Sequence, residues 1–542
     1  RPPGMTHSDS LADIIGNHAR RKPDAPAIIS SHDTMTWASY DARSQRLARV
    51  LCSLGFRRGD RLAVMLPDGP GVHAAFVACE KAGLTAVGIG PRAGLAELRH
   101  LLELTGARGI LSRPEHREND MKNWVAELRA GGQPLQHHII VPGELEETEV
   151  ILCDELRVDE AASDASLDTA LAERRLRPED LFLLNSTSGT TGMPKCVRHD
   201  QNRWLHFHRL AVESGALSEQ DTFLSAIPAP FGFGIWTAHV TPTLLGAATV
   251  VLPSFSVEET LEAISAHRVT VLAAVSTQFI MILNSPHFPA ADLSSLRVLF
   301  TGGEAVPHER AVEFEKRAGA SVLQFYGSNE TGALSRTTLA DPPEKRLRTA
   351  GRVIAEMNVR LFDDRGRDVT AQGRGRPGCR GPLQSSGYYG DEEAQRSLYT
   401  EDGWMLVGDI VEIDDDGYLR VIGRADDFII RGGKNISGPG VEQAVATHPA
   451  IALAAAVAMP DATYGERVCV FVELHEGETL TLEQLVAYLE ETGASIETFP
   501  EHLVISESLP KSSGGKVAKQ RLRDEIRNRV ASGATPPPSR PK

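Results

Sequence analysis

Short, nearly continuous apolar runs alternate along this chain with longer segments in which apolar positions recur every three to four residues. Arg61-Leu62-Ala63-Val64-Met65-Leu66 is one such run and predicts a buried strand. The segment from Val72 to Ala82 predicts the helix that follows it, and Thr85-Ala86-Val87-Gly88-Ile89 the next strand. The rhythm returns at Ala107 to Leu111, Ala248 to Leu252 and Val298 to Phe300. Strand–helix alternation of this kind predicts an α/β protein of layered domains with largely parallel sheets. A chain of 542 residues outgrows one ordinary core, so several subdomains are expected.

The pattern breaks in three places. Gly143 to Arg175 is acidic and poorly periodic, and reads as a surface excursion. Gly375 to Gly390 is rich in glycine, after which Tyr418 to Ile422 resumes as a strand. A boundary is expected near Gly423-Arg424-Ala425-Asp426-Asp427, because the text beyond it carries its own small α/β pattern. The proline-rich end, residues 531–542, is expected to be disordered. Arg1-Pro2-Pro3-Gly4 precedes Met5 and is expected to be an appendage outside the fold.

Composition narrows the function. The chain is 41% hydrophobic and 24% charged, with a net charge of −15. Such an acidic chain gains nothing from counterion release, which argues against nucleic acid as its partner. Any polyanionic ligand must be held by local cations and backbone N–H groups. The six cysteines (Cys52, Cys79, Cys153, Cys196, Cys379, Cys469) are scattered, with no CxxC pair. They read as reduced thiols rather than zinc ligands, which favours a cytoplasmic location. Neither a membrane span nor a signal peptide is visible. His199, His206 and His208 lack ligand spacing and a carboxylate partner, so they are assigned to structure.

The chemistry concentrates in Ser186-Thr187-Ser188-Gly189-Thr190-Thr191-Gly192-Met193-Pro194-Lys195, which follows the apolar run Leu181-Phe182-Leu183-Leu184. Gly189 and Gly192 let backbone approach an anion without an intervening Cβ. Successive N–H groups form an anion nest, and the hydroxyls of Thr187, Ser188, Thr190 and Thr191 add neutral donors. Lys195 adds a mobile point charge for outer phosphates. The spacing is not that of a Walker loop, because Pro194 precedes Lys195 and Cys196 follows it.

This loop resembles the signature of the adenylate-forming superfamily: acyl-CoA synthetases, adenylation domains and luciferases. Further segments resemble that family in its order along nearly the whole chain. The resemblance implies a large N-terminal domain of stacked α/β subdomains (residues 5–424) and a small, mobile C-terminal α+β lid (residues 425–530). It implies a two-step reaction in which a carboxylate and MgATP give acyl-AMP, and a thiol then displaces AMP. The expected cofactors are therefore ATP or acyl-AMP, Mg²⁺ and coenzyme A.

The resemblance also distributes roles. Gly302-Gly303-Glu304 lines the adenine and acyl sites. In Phe325-Tyr326-Gly327-Ser328-Asn329-Glu330, Tyr326 lies against adenine, Glu330 holds Mg²⁺, and Asn329 replaces a threonine that donates to the α-phosphate. Asp409 binds the ribose hydroxyls with Arg424 beside it, and Asp426 is the hinge. Arg431-Gly432-Gly433 flanks the pantetheine channel. Lys516, in Pro510-Lys511-Ser512-Ser513-Gly514-Gly515-Lys516, stabilises charge at the carboxylate and α-phosphate. Lys516, Glu330 and Lys195 are thus the expected catalytic residues.

The expected acyl pocket comprises Phe231, Gly232, Trp236, Val275, Gly302, Gly332 and Ala333. Amino-acid-activating members of the family carry an aspartate where this chain has Gly232, so an α-amino acid is disfavoured. Phe231, Phe233 and Trp236 predict an apolar pocket, with the glycines leaving room for a bulky acid. Changes at Cys196, Phe231 and Asn329 predict a weakened adenylating half-reaction and acceptance of a preformed acyl-AMP. The reading is an acyl-CoA ligase for a bulky, non-amino carboxylic acid. Its alternatives are an enzyme that loads a carrier protein acting in trans, and a non-catalytic nucleotide-binding protein. Whether the chain acts as a monomer or a homodimer is left open.

Overall fold

Two large sheets form the body of the protein in the computed structural model. It describes residues 9–187, 194–303, 306–424, 427–431, 434–461, 463–492, 494, 498–512 and 515–534. The first sheet, of eight described strands, is centred on Arg61–Met65, with Thr85–Gly88 and Gly109–Ser112 parallel to it on either side. The connecting helix Pro70–Ala82 is buried along its whole length. That explains why its sequence is apolar on every face. Its one buried cation is neutralised: Lys81 Nζ lies 2.7 Å from Asp41 Oδ1.

The second sheet, of nine described strands, runs Arg352–Val353, Gly332–Arg336, Ser321–Ser328, Val298–Gly302, Val271–Ala273, Thr222–Ser225, Ala248–Val251, Pro26–Ile29, Thr34–Thr36. Its central strands are parallel. A smaller antiparallel sheet, including Arg374–Cys379, Asp409–Ile413 and Leu419–Arg424, completes the body.

The small C-terminal domain, expected as a lid, has its own sheet beyond Leu419–Arg424. Its sheet pairs the long strands Ile451–Asp461 and Gly465–Leu474, and the free edge of Gly465–Leu474 takes Phe428–Arg431, itself paired with Lys434–Ser437, at its start and His502–Ile505 further along. Leu453 and Ala455 of the lid share one hydrophobic cluster with Ile280 and Leu283 of the body helix Ser276–Asn284. Asn284 Nδ2 donates to the Ala452 carbonyl at 2.8 Å, and Arg310 Nη2 to that of Ile451 at 3.1 Å. No helix among the described residues is long and apolar enough to cross a membrane.

Two expectations change. The strand expected at Leu181 to Leu184 is Leu183–Ser186, because its pairing with Thr85–Gly88 and Cys196–His199 carries it two residues further. The stretch from Gly143 to Arg175 is not merely a surface excursion. Leu145, Ile151, Ala162 and Leu171 are buried, and Leu152–Cys153 and Leu156–Arg157 extend the first sheet at its edge. Part of its acidity is matched by arginines of the helix Trp37–Ser53, as where Arg49 meets Asp168 at 2.7 Å. At the C-terminus a helix spans Lys519–Ala531. The rest of the expectation for 531–542 and that for Arg1 to Gly4 lie largely outside the described residues.

Candidate active site

The strands Leu183–Ser186, Val298–Gly302 and Ser321–Ser328 direct their carboxyl ends at a cleft of about 1320 Å³ closed by the lid. Ligand sites of open α/β sheets lie at this position. Lys195, Glu330, Tyr326 and Asp409 line the cleft from the body, and Lys516 lines it from the lid. Residues separated by more than 300 positions in sequence thus share one cavity.

At the end of the cleft where Lys195 stands, Thr187 N donates to the Lys195 carbonyl at 2.8 Å, and Lys195 N approaches Thr187 Oγ1 at 3.3 Å. These bonds close the neck of the Ser/Thr/Gly loop. Ser188, Gly189, Thr190, Thr191 and Gly192 lie outside the described residues. Lys195 Nζ sits 5.0 Å above the ring of Tyr388, whose hydroxyl donates to Glu330 Oε1 at 2.7 Å. Burial, and then the Glu330 charge, hold the Tyr388 phenol well above its ordinary pKa, so it stays a donor. Nothing in the sequence around Tyr388 marks it for this place. It is pinned by a backbone bridge to Val197, and Tyr389 N donates to the Cys196 carbonyl.

Among the described residues no three His, Cys, Asp or Glu side chains gather as a metal site. One carboxylate beside a phosphate loop nevertheless suits Mg²⁺, which keeps waters and takes most of its remaining ligands from substrate phosphates. Glu330 is the protein group that would hold it.

Behind this end lies a buried polar network. Asn185 Nδ2 donates to the Pro230 carbonyl at 2.9 Å, so its Oδ1 faces the other way. That oxygen accepts from His199 Nε2 at 2.7 Å and from Asn329 Nδ2 at 2.7 Å. His199 Nδ1 accepts from Arg203 Nη1 at 2.9 Å. Burial, and then Arg203, keep His199 neutral, far below its ordinary pKa. Arg203 donates to the Asn329 carbonyl at 3.0 and 3.1 Å and to the Leu383 carbonyl at 2.9 Å. Burial lowers its pKa to about 10, which leaves it charged at neutral pH. His199 is therefore structural, as expected. His208 is held neutral by burial, with a pKa of about 4.

Further along the cleft, Tyr326 donates its hydroxyl to Asp409 Oδ2 at 2.9 Å, which ties the residues expected at adenine and ribose together. Gly327 has no room for a side chain, because a Cβ there would lie 1.8 Å from the Gly332 carbonyl oxygen. Ser328 also lines the cleft. Gly303 has φ +78°, and its carbonyl accepts from Lys516 Nζ at 2.5 Å. The backbone of Arg424 pairs with that of Asp409. Arg431 is not at this cleft: it forms an ion pair with Glu501 at 2.8 Å within the lid, over the ring of Tyr464. Glu304, Asp426, Gly432 and Gly433 lie outside the described residues.

The other end is aromatic. Trp236 packs against Phe207, Phe233, Phe300 and Phe325 with ring centroids 5.0 to 5.7 Å apart. Phe325 lines the cleft as well as belonging to this ring cluster. Phe231 closes over Gly90, where a Cβ would come within 2.9 Å of its ring. Trp236 sits in a π-helical turn, Ile235–Val240, a distortion that often re-aims side chains at functional sites. Val275, Gly302, Gly332 and Ala333 complete the lining. Gly332 has φ +68°, and a Cβ there would strike the Leu383 carbonyl at 2.4 Å. One expectation fails here. Gly232 does not leave empty room, because a Cβ on it would lie 2.5 Å from Asn329 Oδ1.

Cys196 lies in the strand Cys196–His199 with its side chain fully buried in a hydrophobic cluster that includes Leu184 and Val87. Burial pushes its thiol up to about 12, so it behaves as a small apolar group.

Comparisons with known proteins agree with this geometry. A family model described as AMP-binding enzyme matches residues 15–389, and one described as AMP-binding enzyme C-terminal domain matches residues 440–516. A medium-chain fatty-acid–CoA ligase of Escherichia coli is 30% identical over 98% of this chain and 93% of its own length. A 2-hydroxy-7-methoxy-5-methyl-1-naphthoate–CoA ligase of Streptomyces carzinostaticus is 30% identical over 96% of this chain and 94% of its own. The fold also matches a crystal structure of an anthranilate CoA ligase in complex with anthranoyl-AMP, with a TM-score of 0.85 and 22% identity over 97% and 99% of the two chains.

Proposed function

The chain belongs to the AMP-binding enzyme family of adenylate-forming ligases, and from that premise we propose that it is an acyl-CoA ligase for a bulky carboxylic acid without an α-amino group. The observation that carries the proposal is the position of Lys516. Its Nζ reaches the Gly303 carbonyl at 2.5 Å, at the junction of the aromatic chamber and the phosphate-facing end.

The steps follow from this placement. The acid lies in the chamber of Phe231, Trp236 and Val275, with its carboxylate toward Lys516. A carboxylate oxygen forms a bond to the α-phosphorus of ATP as the bond to the bridging oxygen breaks, and pyrophosphate leaves. Lys516 offers a cation to the carboxylate and α-phosphate, where negative charge gathers in the transition state. Lys195 neutralises the outer phosphates. Glu330 would hold Mg²⁺, which would supply further charge neutralisation there. Tyr326 and Asp409 fix the nucleoside. In the second step a thiolate sulfur bonds to the acyl carbon, and AMP departs with the electron pair of the acyl–oxygen bond. Cys196 faces the core, so that departure supplies no reason for a weak grip on ATP; Phe231 and Asn329 line the cleft, and pyrophosphate exchange over a panel of acids measures whether they weaken the first step.

The test is to incubate the protein with ATP, Mg²⁺ and a panel of aromatic, cyclic and branched acids, offering either coenzyme A or a carrier protein. Mass spectrometry should find acyl-CoA and AMP for at least one acid. Lys516→Ala should lower the ATP-dependent step by about 10²–10³-fold while sparing thioester formation from supplied acyl-AMP. Thioester formation on the carrier protein alone would overturn the coenzyme A assignment, and an unaffected Lys516→Ala variant would overturn the mechanism.

A further inference from the structure

Resting on the adenylate-forming reading and on the role given there to Lys516, we infer that Asn284 and Arg310 are positioning residues: they latch the backbone of the lid to the body and so hold Lys516 in the cleft. The latch is built on an irregularity in a strand. Ile451–Asp461 is the edge of the lid sheet, and its pairing with Gly465–Leu474 skips one residue, since Ile451 faces Leu474 and Leu453 faces Glu473. Ala452 is thus the extra residue of a β-bulge. In a regular strand the carbonyls of neighbouring residues point to opposite sides. Here both reach the body. The Ile451 carbonyl accepts from Arg310 Nη2 at 3.1 Å, and the Ala452 carbonyl accepts from Asn284 Nδ2 at 2.8 Å. Arg310 is itself aimed, because Glu313 Oε2 accepts from its Nη1 at 2.9 Å.

The bulge is tied to the loop that carries Lys516. Glu473, opposite Leu453 at the bulge, accepts from Leu509 N at 2.6 Å, at the root of that loop. The loop is closed on itself where Ser512 N donates to the Lys516 carbonyl at 2.7 Å and Ala518 N to the Pro510 carbonyl at 2.7 Å. A body side chain, a bulged carbonyl, a carboxylate and the loop root thus form one connected series. The remaining contacts of this interface are less specific. Leu453 and Ala455 share a cluster with Ile280 and Leu283, and Lys511 Nζ lies 3.0 Å from Met281 Sδ. Apolar contact holds the lid near the body but is non-directional. The two hydrogen bonds to adjacent carbonyls supply the direction, and a charge-stabilising group works only where it is aimed.

The test measures both half-reactions in the full-length protein, with an acid that the wild type activates. The double variant Asn284→Ala/Arg310→Ala should slow pyrophosphate exchange about tenfold or more, the effect of two lost hydrogen bonds. Thioester formation from supplied acyl-AMP, the step that spares Lys516, should stay within about twofold of wild type. Asn284→Asp keeps the shape but removes the donor, and it should slow exchange at least as much as Asn284→Ala. In a Lys516→Ala background the double substitution should change exchange by less than about twofold, because nothing is left to be placed. Unchanged exchange in the double variant, beside slow exchange in Lys516→Ala, would overturn this inference and leave the adenylate reading intact. Equal slowing of both half-reactions, or a full further loss in the Lys516→Ala background, would make the two residues merely structural and also overturn it. No exchange by the wild type with any acid would sink the adenylate reading and this inference with it.

Discussion

The two ends of the cleft are built on different principles. The aromatic end rests on rings: Trp236 and Phe207 meet their neighbours at tilted or edge-on angles, Phe300 and Phe325 stack, and the group depends on volume for its stability. The polar end rests on orientation. In Asn185, His199, Arg203 and Asn329 each donor has a matching acceptor, and reversing one amide breaks several bonds at once. A ring cluster can accommodate a different ligand by small shifts, whereas a closed hydrogen-bond chain has one arrangement. The aromatic end can therefore yield to a change of volume, and the polar end resists a change of orientation. Thr301 sharpens the contrast: its buried hydroxyl lines the cleft without a hydrogen-bond partner among the described residues.

The largest effect should come from the aromatic end and appear as lost stability. Trp236 is 4% exposed, and Trp236→Ala removes the ring that four others contact. A cost of about 3–5 kcal/mol is expected in denaturant unfolding, as for other large-to-small core changes. A bulkier acid should recover part of this by filling the cavity, read as a rise in melting temperature on adding its acyl-AMP mimic. A loss below about 1 kcal/mol would show that the rings are not a packed unit, and the comparison would fail.

Much of this arrangement is legible in the sequence, and the illegible part has a common cause. Strands such as Arg61–Met65 and Val298–Gly302 are buried on both faces, so their continuous apolar text announces them. Lys195, Glu330, Asp409 and Lys516 stand in segments whose order is itself informative, and the structure gathers them in one cleft. Tyr388 is different. Its partner Glu330 lies 58 residues away, and its own surroundings, Gly387-Tyr388-Tyr389-Gly390, read as a loop. Arg203 sits one turn into the helix Gln201–Gly215, where a single cation ordinarily faces water. Only the tertiary fold buries it against two carbonyls. Gly232 read as vacant space because the side chain that fills its place belongs to a residue almost a hundred positions later.

A smaller effect should distinguish the polar end by its kind rather than its size. Tyr388→Phe keeps the ring beneath Lys195 but removes the hydroxyl that holds Glu330. The shape is unchanged, so stability should move by less than about 1.5 kcal/mol, the net worth of one hydrogen bond. Pyrophosphate exchange should nonetheless slow by about tenfold, because Glu330 loses its orientation toward the phosphates. The Mg²⁺ concentration giving half-maximal rate should rise as well. An unchanged Mg²⁺ dependence with a large stability loss would make Tyr388 a packing residue and erase the distinction between the two ends.

The smallest effect is expected at Cys196, and it tests where the polar end stops. The residue adjoins Lys195 in sequence, yet its side chain points into the cluster beneath the sheet. Cys196→Ala should therefore behave as a core substitution, costing about 1 kcal/mol for the lost buried group. The KM for ATP should stay within about twofold of wild type, since the thiol is buried in the cluster with Leu184 and Val87. Alkylating reagents should label Cys196 slowly in the folded protein, because a buried thiol with its pKa near 12 presents almost no thiolate. A tenfold change in the KM for ATP would move the boundary of the polar end beneath the strand Cys196–His199, and the phosphate loop would then be sensitive to the packing under it.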